Sequence, residues 1–295
     1  MEEVSAYPRI SCVIPTHLRS NLLQESLASV LQQTRAPFEV IVVSDCIDPP
    51  SRKVVEKLAE GIEFPVKYVE RDSTSPGASL SRNIGASYAS GDFIAFLDDD
   101  DMWESSYISD AVDRIQETNA DVIVTWRRIF TETSDVLGPT IEEGLRAQDV
   151  LAVSLGTTGS NLIVRLSSFH NISGFDEKLP VKNDTDFFYR LLKSGSNYRV
   201  VRRHSVLQRK HSQGQLTGKT ERRAAGTEAY IEKHRADLTR SDLRHLRLNI
   251  HRIRKANAEG WRLRSYHHIM AILNYSPRKY FEERRDRKMW HSDKI

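Results

Sequence analysis

Residues 91–101 read GDFIAFLDDDD, an apolar run that follows a glycine and ends in four consecutive aspartates. Such a nearly continuous apolar run is typical of a strand in a parallel sheet, which is buried on both faces. Ligands of open α/β sheets bind at the carboxyl ends of the strands, and divalent cations such as Mg²⁺ prefer carboxylate oxygens. The stretch therefore predicts a central strand with a cation site at its end. An acidic surface turn is the alternative interpretation.

Strands and helices alternate on both sides of this central strand. Apolar runs predict strands, and apolar residues at every third or fourth position predict helices. The predicted strands cover 9–15, 38–44, 66–69, 93–97 and 121–126, and the helices between them begin at Ser20, Ser51, Leu80 and Ser105. This alternation predicts an α/β fold, with a doubly wound, Rossmann-like, mostly parallel sheet and a helical extension at the C-terminus.

A second acidic group lies after Arg127, where the alternation loosens. Asp184 and Asp186 stand near the start of a helix predicted over 187–193, where N-terminal capping alone would explain two carboxylates. The other predictions for this region are strands over 159–164 and 198–201, a turn over 174–176, and a polar loop over 208–218 that contains His211.

Composition and cysteine use are those of an ordinary globular protein. The 295 residues are 39% hydrophobic and 28% charged. The two cysteines, Cys12 and Cys46, lie in or just after predicted strands, which indicates reduced thiols rather than a disulfide framework. The N-terminus lacks the pattern of a signal peptide, and no apolar run is long enough to span a bilayer. We expect a cytoplasmic protein, or one that is peripheral at the inner face of the membrane.

Charge is distributed unevenly along the chain. From Gln215 to the end there are 20 Lys and Arg against 10 Asp and Glu, a net charge of +10, whereas residues 1–214 carry a net charge of −7. We therefore divide the chain into a body, 1–218, and a basic helical subdomain, 219–295. A basic tail can contact anionic lipids or a polyanion, or can simply be solvated. The tail has no recognisable nucleic-acid module, so we expect no nucleic-acid partner.

The basic subdomain contains one strongly patterned helix. Thr239 and Asp242 match a capping box at its start. The helix then carries an apolar stripe, and we expect this stripe to pack against the apolar residues of the next helix. The stripe consists of Leu243, Leu246, Ile250 and Ile253, and its expected partners are Trp261, Tyr266, Ile269, Met270 and Leu273.

Polar residues follow each of the first four strands, where a parallel sheet would bring them together. They are Thr16 and Arg19, then Asp45, then Arg71, then the aspartates of residues 98–101. A nucleotide would use all of them. Carboxylates accept hydrogen bonds from a base N–H or a ribose hydroxyl, and a cation bridges diphosphate oxygens to carboxylates. Arginines neutralise the remaining negative charge of the diphosphate. Arg82, in the segment Arg82-Asn83-Ile84-Gly85, could support the same site, although helix packing would equally explain Gly85.

The order of these segments resembles the inverting glycosyltransferases of family 2, which have the GT-A fold. The resemblance covers most of residues 9–213 and rests on motif order and spacing rather than on one motif. The matching segments are Pro15-Thr16-His17-Leu18-Arg19, Val43-Ser44-Asp45, Arg82-Asn83-Ile84-Gly85, the stretch 91–101, Gly174-Phe175-Asp176-Glu177 and Asn183-Asp184-Thr185-Asp186. Residues 1–218 would then be a GT-A domain.

The resemblance implies a role for each acidic residue. Asp98 would lie near the ribose and Asp100 would bind Mg²⁺ or Mn²⁺, a Lewis acid that stabilises the departing diphosphate. Because residues 98–101 are all aspartate, the register stays open, and Asp99 or Asp101 could take part. Asp184 would be the general base that takes the proton of the acceptor hydroxyl. His211 occupies the position of a family histidine that helps to bind metal or diphosphate.

The remaining nucleotide contacts would come from Thr16, Arg19, Asp45, Arg71 and Arg82, together with Asp98 and Asp99. Two departures from the family pattern stand out. Asn183 replaces the usual glutamate before the base, which leaves Asp186 as a competitor for that role. Residues 45–48, Asp-Cys-Ile-Asp, replace the commoner Asp-Gly-Ser turn.

The resulting expectation is a metal-dependent inverting glycosyltransferase of polysaccharide biosynthesis. Its donor would be a nucleotide diphosphate sugar, with a UDP-sugar favoured, and its acceptor a glycan or a lipid-linked hydroxyl. A sugar nucleotidyltransferase would need a glycine-rich loop near the N-terminus, and residues 15–22 contain no glycine. A retaining transferase would not require Asp184. An inactive nucleotide-sugar-binding scaffold or sensor is the main alternative outside enzymes.

Overall fold

The core of the fold is one β-sheet, and successive side chains of each strand point to opposite faces of it. In the computed structural model, which describes residues 7–71, 77–153, 155–210 and 220–277, nine strands form one sheet. The strands are β1 (Ile10–Thr16), β2 (Glu39–Ser44), β3 (Val66–Glu70), β4 (Phe93–Phe96), β5 (Met102–Trp103), β6 (Val122–Phe130), β7 (Asp135–Leu137), β8 (Leu162–Arg165) and β9 (Tyr198–Arg209). Their order is β3-β2-β1-β4-β8-β6-β9-β5, with β7 paired to β6.

Parallel pairing dominates the half of the sheet that contains β1. Strand β1 is parallel to both β2 and β4, and β2 is parallel to β3. Strand β6 is parallel to β9, whereas β8 lies antiparallel to both of its neighbours, β4 and β6. The predicted α/β fold with a doubly wound, mostly parallel sheet is confirmed.

Two hydrophobic clusters lie on the two faces of the sheet. Val13 and Phe96 belong to one cluster, and their chain neighbours Cys12 and Leu97 belong to the other. Successive side chains of a strand point to opposite faces, so strands that are apolar throughout need helices on both faces. This explains why the run that ends at residue 97 shows no alternation of polar and apolar residues.

Helices cover both faces, and local capping explains several of their starts. They are α1 (Ser20–Leu31), α2 (Pro49–Ala59), α3 (Ala78–Tyr88), α4 (Tyr107–Thr118), α5 (Ala147–Val150), α6 (Leu166–Asn171), α7 (Asn183–Lys193), α8 (Glu221–Lys233), α9 (Arg240–Asn257) and α10 (Trp261–Leu273). The Asp48 carboxylate accepts from the Ser51 amide at the start of α2, next to a proline at the first position. Thr239 and Asp242 form the predicted capping box of α9.

Three strand boundaries differ from the prediction by more than one residue. Strand β6 continues to Phe130 instead of ending at Trp126. Strand β9 continues to Arg209 instead of ending at Val201, because it pairs with β6 across two register shifts next to Trp126. Such irregularities break the alternation of side chains that identifies a strand in a sequence. Residues 159–161, predicted as the start of a strand, form a 3-10 turn before β8.

The expected packing of α9 against the apolar residues of α10 is wrong. Leu246, Ile250 and Ile253 of α9 are buried in the same cluster as β1 and β4. Trp261 and Ile269 of α10 are exposed instead. Helix α10 does contact α9, but through polar groups such as the ring nitrogens of His251 and His267, which lie 3.0 Å apart.

The first helices of the C-terminal region pack on the body of the protein. Ala224 and Tyr230 of α8 and Leu246 of α9 belong to the sheet's cluster, and the Tyr230 hydroxyl donates to the Leu151 carbonyl oxygen at 2.6 Å. The division at residue 218 stays a prediction. Among the described helices, none is both long and apolar enough to cross a membrane.

Candidate active site

The carboxyl ends of β1 and β4 lie side by side at the topological switch point of the sheet, where the strand order changes direction. The order 3-2-1-4 places β1 between strands that follow it in the sequence. Such a switch point leaves a crevice between the loops that follow the two strands, where α/β proteins bind ligands. The predicted site residues Thr16 and Arg19 follow β1, and Asp98 to Asp101 follow β4.

Three of the four aspartates form a group that could hold a metal ion. Asp98, Asp100 and Asp101 each offer a carboxylate oxygen, and these oxygens lie within 4.8 Å of one another. Ser160 supports the group, because its hydroxyl donates to Asp101 Oδ2 at 2.6 Å and accepts from the Asp98 amide at 3.1 Å. The donor set consists of oxygens only, which suits Mg²⁺ or Mn²⁺.

Asp101 is the most deeply buried member of the cluster. Burial raises the pKa of its carboxyl well above the usual range, and the neighbouring charges of Asp98 and Asp100 raise it further. The Arg209 amide donates to Asp101 Oδ1 at 3.0 Å, which anchors β9 to the cluster. A bound cation would relieve this charge repulsion, so the electrostatics of the group fit a metal site.

Asp99 faces a different direction from the other three. It accepts from the Thr16 hydroxyl at 2.8 Å and from Arg19 Nη1 at 3.2 Å. Burial raises the pKa of Asp99 to about 6, against the opposing effect of Arg19. Arg19 also reaches Asp100 Oδ2 at 3.4 Å. The structure thus brings together four of the predicted site residues in one hydrogen-bonded set.

Arg82 joins helix α3 to the aspartates. Its buried guanidinium donates to Asp98 Oδ1 and lies 5.1 Å from the centre of the Phe175 ring. Gly159 makes room for it, since a Cβ at that position would lie 2.6 Å from Arg82 Nη2. The absence of a side chain at Gly159 therefore leaves the space that Arg82 needs to reach Asp98.

The other residues of the Arg82-Asn83-Ile84-Gly85 segment have structural roles. Asn83 Nδ2 donates to the Phe175 carbonyl at 2.9 Å, and Asn83 Oδ1 accepts from the Phe175 amide at 2.8 Å. A Cβ on Gly85 would lie 2.3 Å from Val13 Cγ1, so glycine allows α3 to approach β1 closely. The segment holds the helix, the turn at Gly174 and the sheet together.

Asp45 lies at the end of β2, beside a histidine that sequence reasoning did not single out. His17 Nδ1 is 2.5 Å from Asp45 Oδ1, and the Gly77 amide donates to Asp45 Oδ2 at 3.2 Å. With Cys46, these side chains form a second group whose ligand atoms lie within 4.8 Å of one another. The half-exposed imidazole and the buried carboxylate present a planar ring next to a hydrogen-bond acceptor.

The predicted site residue Arg71 is buried and contacts helix α3. Arg71 Nη1 donates to the Ser81 hydroxyl at 3.1 Å, so its guanidinium lies against the first part of α3, one residue before Arg82. His211 lies outside the described residues.

Asp184 stands in the first turn of α7 and is half-buried. Its Oδ1 accepts from the Thr185 amide at 2.7 Å. The preceding residue, Asn183, donates from Nδ2 to the Ser79 hydroxyl in the first turn of α3 at 3.0 Å. Because α3 also carries Arg82, this contact sets the start of α7 relative to the aspartates of β4.

Asp186 is fully buried and belongs to an ion cluster. It accepts from His234 Nε2 at 2.8 Å, from Arg190 Nε at 2.8 Å and from Lys233 Nζ at 2.6 Å. Burial alone would raise its pKa, but these donors outweigh burial and lower the pKa to about 2. Lys233 Nζ also binds Asp176 Oδ2 at 2.6 Å. Asp186 therefore ties α7 to α8 and offers no free oxygen to a solvent-side hydroxyl.

Two cationic side chains lie near Asp184. Burial lowers the pKa of Arg127 and of Lys182, and in both cases the Asp184 charge opposes that effect. The charge of Asp101 raises the pKa of Arg127, as the charge of Asp184 does. The Arg127 guanidinium is therefore within electrostatic range of both Asp101 and Asp184. Arg127 Nη1 donates to Gln208 Oε1 at 2.7 Å, and its buried Nε has no hydrogen-bond partner among the described residues.

Sequence reasoning missed four residues of this site: His17, Arg127, Ser160 and Arg209. An arginine at the end of an apolar strand was the available signal for Arg127. Ser160 and Arg209 carried no such signal, since their contacts with Asp101 join residues 59 and 108 positions apart.

A family model described as "Glycosyl transferase family 2" matches residues 11–175, more than half of the chain. An uncharacterized glycosyltransferase of Haemophilus influenzae is 26% identical over 282 residues, which make up 92% of this chain and 89% of that relative. The poly(ribitol-phosphate) beta-N-acetylglucosaminyltransferase TarS of Staphylococcus aureus is 31% identical over 118 residues, 39% of this chain and 20% of TarS. The chain thus spans nearly all of the first relative but only a fifth of the second.

A solved structure gives the same fold. The crystal structure of residues 1–349 of S. aureus TarS in complex with UDP-GlcNAc matches with a TM-score of 0.64 and 19% sequence identity. The match covers 90% of this chain and 89% of that chain. At this identity the likeness concerns the fold, and it confirms the predicted GT-A type.

Proposed function

Because the chain belongs to glycosyl transferase family 2, we propose that it transfers a sugar from a UDP-sugar to a hydroxyl group of a glycan or lipid-linked acceptor. The reaction would be a single displacement that inverts the anomeric carbon. The observation that carries this proposal is the group of aspartates 98, 100 and 101 at the switch point, with Arg19 and Arg82 beside it. A further carboxylate, that of Asp184, lies at the start of α7.

The donor would bind across the ends of β1, β2 and β4. His17 and Asp45 could contact the nucleobase, since an imidazole can stack on a ring and a carboxylate accepts from a base N–H. Arg19 and Arg82 bring positive charge to the diphosphate side. A uridine donor is further supported by the UDP-GlcNAc complex of the structurally similar TarS.

Asp98, Asp100 and Asp101 would hold Mg²⁺ or Mn²⁺. When bound there, the ion would neutralise the charge of the departing diphosphate. Asp99 would instead orient Thr16 and Arg19, with which it already forms hydrogen bonds. A contribution of His211 to the metal site remains part of the proposal.

Asp184 is the better candidate for the base. Its side chain is half-buried, and its Oδ1 accepts hydrogen bonds from the amide and the hydroxyl of the adjacent Thr185, so an acceptor hydroxyl could approach the carboxylate. Asp186 has both oxygens engaged by cationic side chains and a pKa of about 2, which makes it a poor proton acceptor.

The acceptor would be an intermediate of polysaccharide biosynthesis. This part of the proposal is supported by relatives whose names concern cell-surface polymers, among them a putative teichuronic acid biosynthesis glycosyltransferase of Bacillus subtilis that is 28% identical over 149 residues. A peripheral membrane contact of the basic C-terminal helices would bring the enzyme to a lipid-linked acceptor.

Isothermal titration of UDP tests the donor site. Wild type, Asp100→Ala and a control variant, Asp113→Ala, are each titrated with Mn²⁺ and with EDTA. Asp113 is exposed on α4 and is not part of the aspartate group. We expect binding by wild type and the control that requires Mn²⁺, and loss of that binding in Asp100→Ala.

Two other results would change the proposal. Binding of guanosine or thymidine diphosphate in place of UDP would keep the site and change the donor. Binding of UDP with equal affinity in EDTA and in Asp100→Ala would contradict the metal site. The acceptor is tested separately, by measuring the sugar that is transferred from UDP-GlcNAc or UDP-glucose to lipid-linked and free oligosaccharides. Donor hydrolysis without acceptor is subtracted.

A further inference from the structure

The outward face of α10 is covered with large apolar side chains. Among the described residues, Trp261 is 73% exposed, Ile269 56%, Ile272 60% and Leu273 62%, and Tyr266 is half-exposed. A surface helix normally points its apolar side chains inward and its polar ones to water. Helix α10 does the reverse.

Helical spacing places these side chains together. Trp261, Ile269 and Ile272 are separated by eight and three residues, which aligns them along one side of a helix, with Ser265 between Trp261 and Ile269. His267 and Ala271 lie on the opposite side and are buried, with His267 against His251 of α9. The outward side is therefore one continuous stripe, and not a set of scattered residues.

No described part of the protein covers this stripe. The apolar residues of α9 are buried in the cluster of the sheet and are not available to pair with it. A contiguous apolar surface of this kind marks an interaction site.

The charged residues within and directly after α10 are all of one sign, whereas the exposed Glu259 precedes the helix. From Gly260 through Phe281 the sequence contains Arg262, Arg264, Arg278 and Lys279 and no acidic residue. Arg262 and Arg264 are exposed on α10, and the Arg262 guanidinium lies 5.6 Å from the Trp261 ring. An apolar stripe with tryptophan and tyrosine, flanked by arginines, is the pattern of a helix that lies in the interface of an anionic membrane.

We propose that α10 docks this protein on an anionic lipid surface. The helix lies parallel to the bilayer, with Trp261, Ile269 and Ile272 among the headgroups and upper acyl chains and Arg262 near the lipid phosphates. A second copy of the chain is a poorer partner, because two such stripes would bring the exposed Arg262 and Arg264 of both copies close together. This inference rests on the membrane contact included in the proposed function and assigns it to one helix, whereas its test does not require the transferase reaction.

Vesicle flotation of the full-length protein tests the proposal. The vesicles are phosphatidylcholine alone or phosphatidylcholine mixed with phosphatidylglycerol, at low and at high salt. We compare wild type with Ile269→Glu and Arg262→Glu, and with Val136→Glu as the control. Val136 is an exposed apolar residue of β7, so this variant adds the same charge at a site outside the stripe.

We expect wild type and Val136→Glu to float with the anionic vesicles and to remain unbound with neutral ones. Ile269→Glu should lose binding at all salt concentrations, because it places a carboxylate in the apolar stripe. Arg262→Glu should weaken binding by on the order of tenfold and reduce its salt dependence. Thermal melts should coincide for all four proteins, since each substituted side chain is exposed.

Three results would overturn the proposal. They are equal binding to neutral and anionic vesicles, unchanged binding of Ile269→Glu, and a wild-type dimer in light scattering that Ile269→Glu converts to a monomer. The last result would assign the stripe to a second copy of the chain.

Discussion

Asn183 donates a hydrogen bond to the Ser79 hydroxyl at 3.0 Å and thereby joins the first turns of α7 and α3. One helix carries Asp184, the candidate base, and the other carries Arg82, which binds Asp98. The residue that departs from the glutamate of the family pattern thus links the two helices that carry these side chains.

Loss of this contact should reduce turnover more than donor binding. We expect Asn183→Ala and Ser79→Ala each to lower kcat about ten- to a hundredfold, because a displaced base loses its alignment with the acceptor. The UDP dissociation constant should change little. The double variant should be no slower than the slower single variant, since both substitutions remove the same hydrogen bond. Additive losses would show that the two residues act separately.

Removal of the base should leave the donor site intact. We expect Asp184→Asn to lower kcat by roughly two to four orders of magnitude while UDP affinity and the melting temperature stay unchanged. Asp186→Asn should lower the melting temperature instead, since it leaves His234 and Lys233 without their buried partner. Full turnover of Asp184→Asn would transfer the role of base to another residue.

Acid should weaken the fold through Asp186. Its pKa is about 2 in the folded protein against an ordinary value of 3.8, so the carboxylate stabilises the fold above about pH 4. This contribution, about 2 kcal/mol, is lost as the pH falls from about 4 to 2. Urea unfolding should therefore show a smaller loss of stability on acidification in Asp186→Asn than in wild type. The exposed Asp113→Asn variant should follow wild type.

Arg127 should influence both metal binding and turnover. We expect Arg127→Gln to bind Mn²⁺ several-fold more tightly, because a positive charge within range of Asp101 is removed. Turnover should fall, since the same charge acts on Asp184. Arg128→Gln is the matched control, because Arg128 pairs with Asp135 and Glu104 outside the site. Equal Mn²⁺ affinities in wild type and Arg127→Gln would contradict this electrostatic role.

Close packing at Gly85 should make it intolerant of a side chain. A Cβ there would lie 2.3 Å from Val13 Cγ1, so we expect Gly85→Ala to lower the free energy of unfolding by about 1–3 kcal/mol. Val13→Ala in the same chain should restore part of that loss by making room. Gly77→Ala is the control, since a Cβ at Gly77 meets no atom of the described residues within 4 Å. Similar melting temperatures for the two glycine variants would argue against the packing role.

Much of the site was predictable because its residues follow strands. Thr16, Arg19, Asp98 and Asp99 follow β1 and β4, and adjacent parallel strands bring their carboxyl ends together. The packing of α10 was not predictable in this way. Its apolar residues recur with helical spacing, but periodicity identifies a face without showing whether another element covers it.

The sequence by itself determined the order of the first four strands and the helices between them, the capping box of α9 and the position of four aspartates after a buried strand. These features depend on local spacing, which is present in the unfolded chain. Only the tertiary structure decided that Asp99 turns to Thr16, 83 residues away, while Asp101 turns to Ser160. It also decided that Asp186 is buried against His234 and that Asp184 is not. Identical side chains acquire different surroundings only when distant segments pack around them.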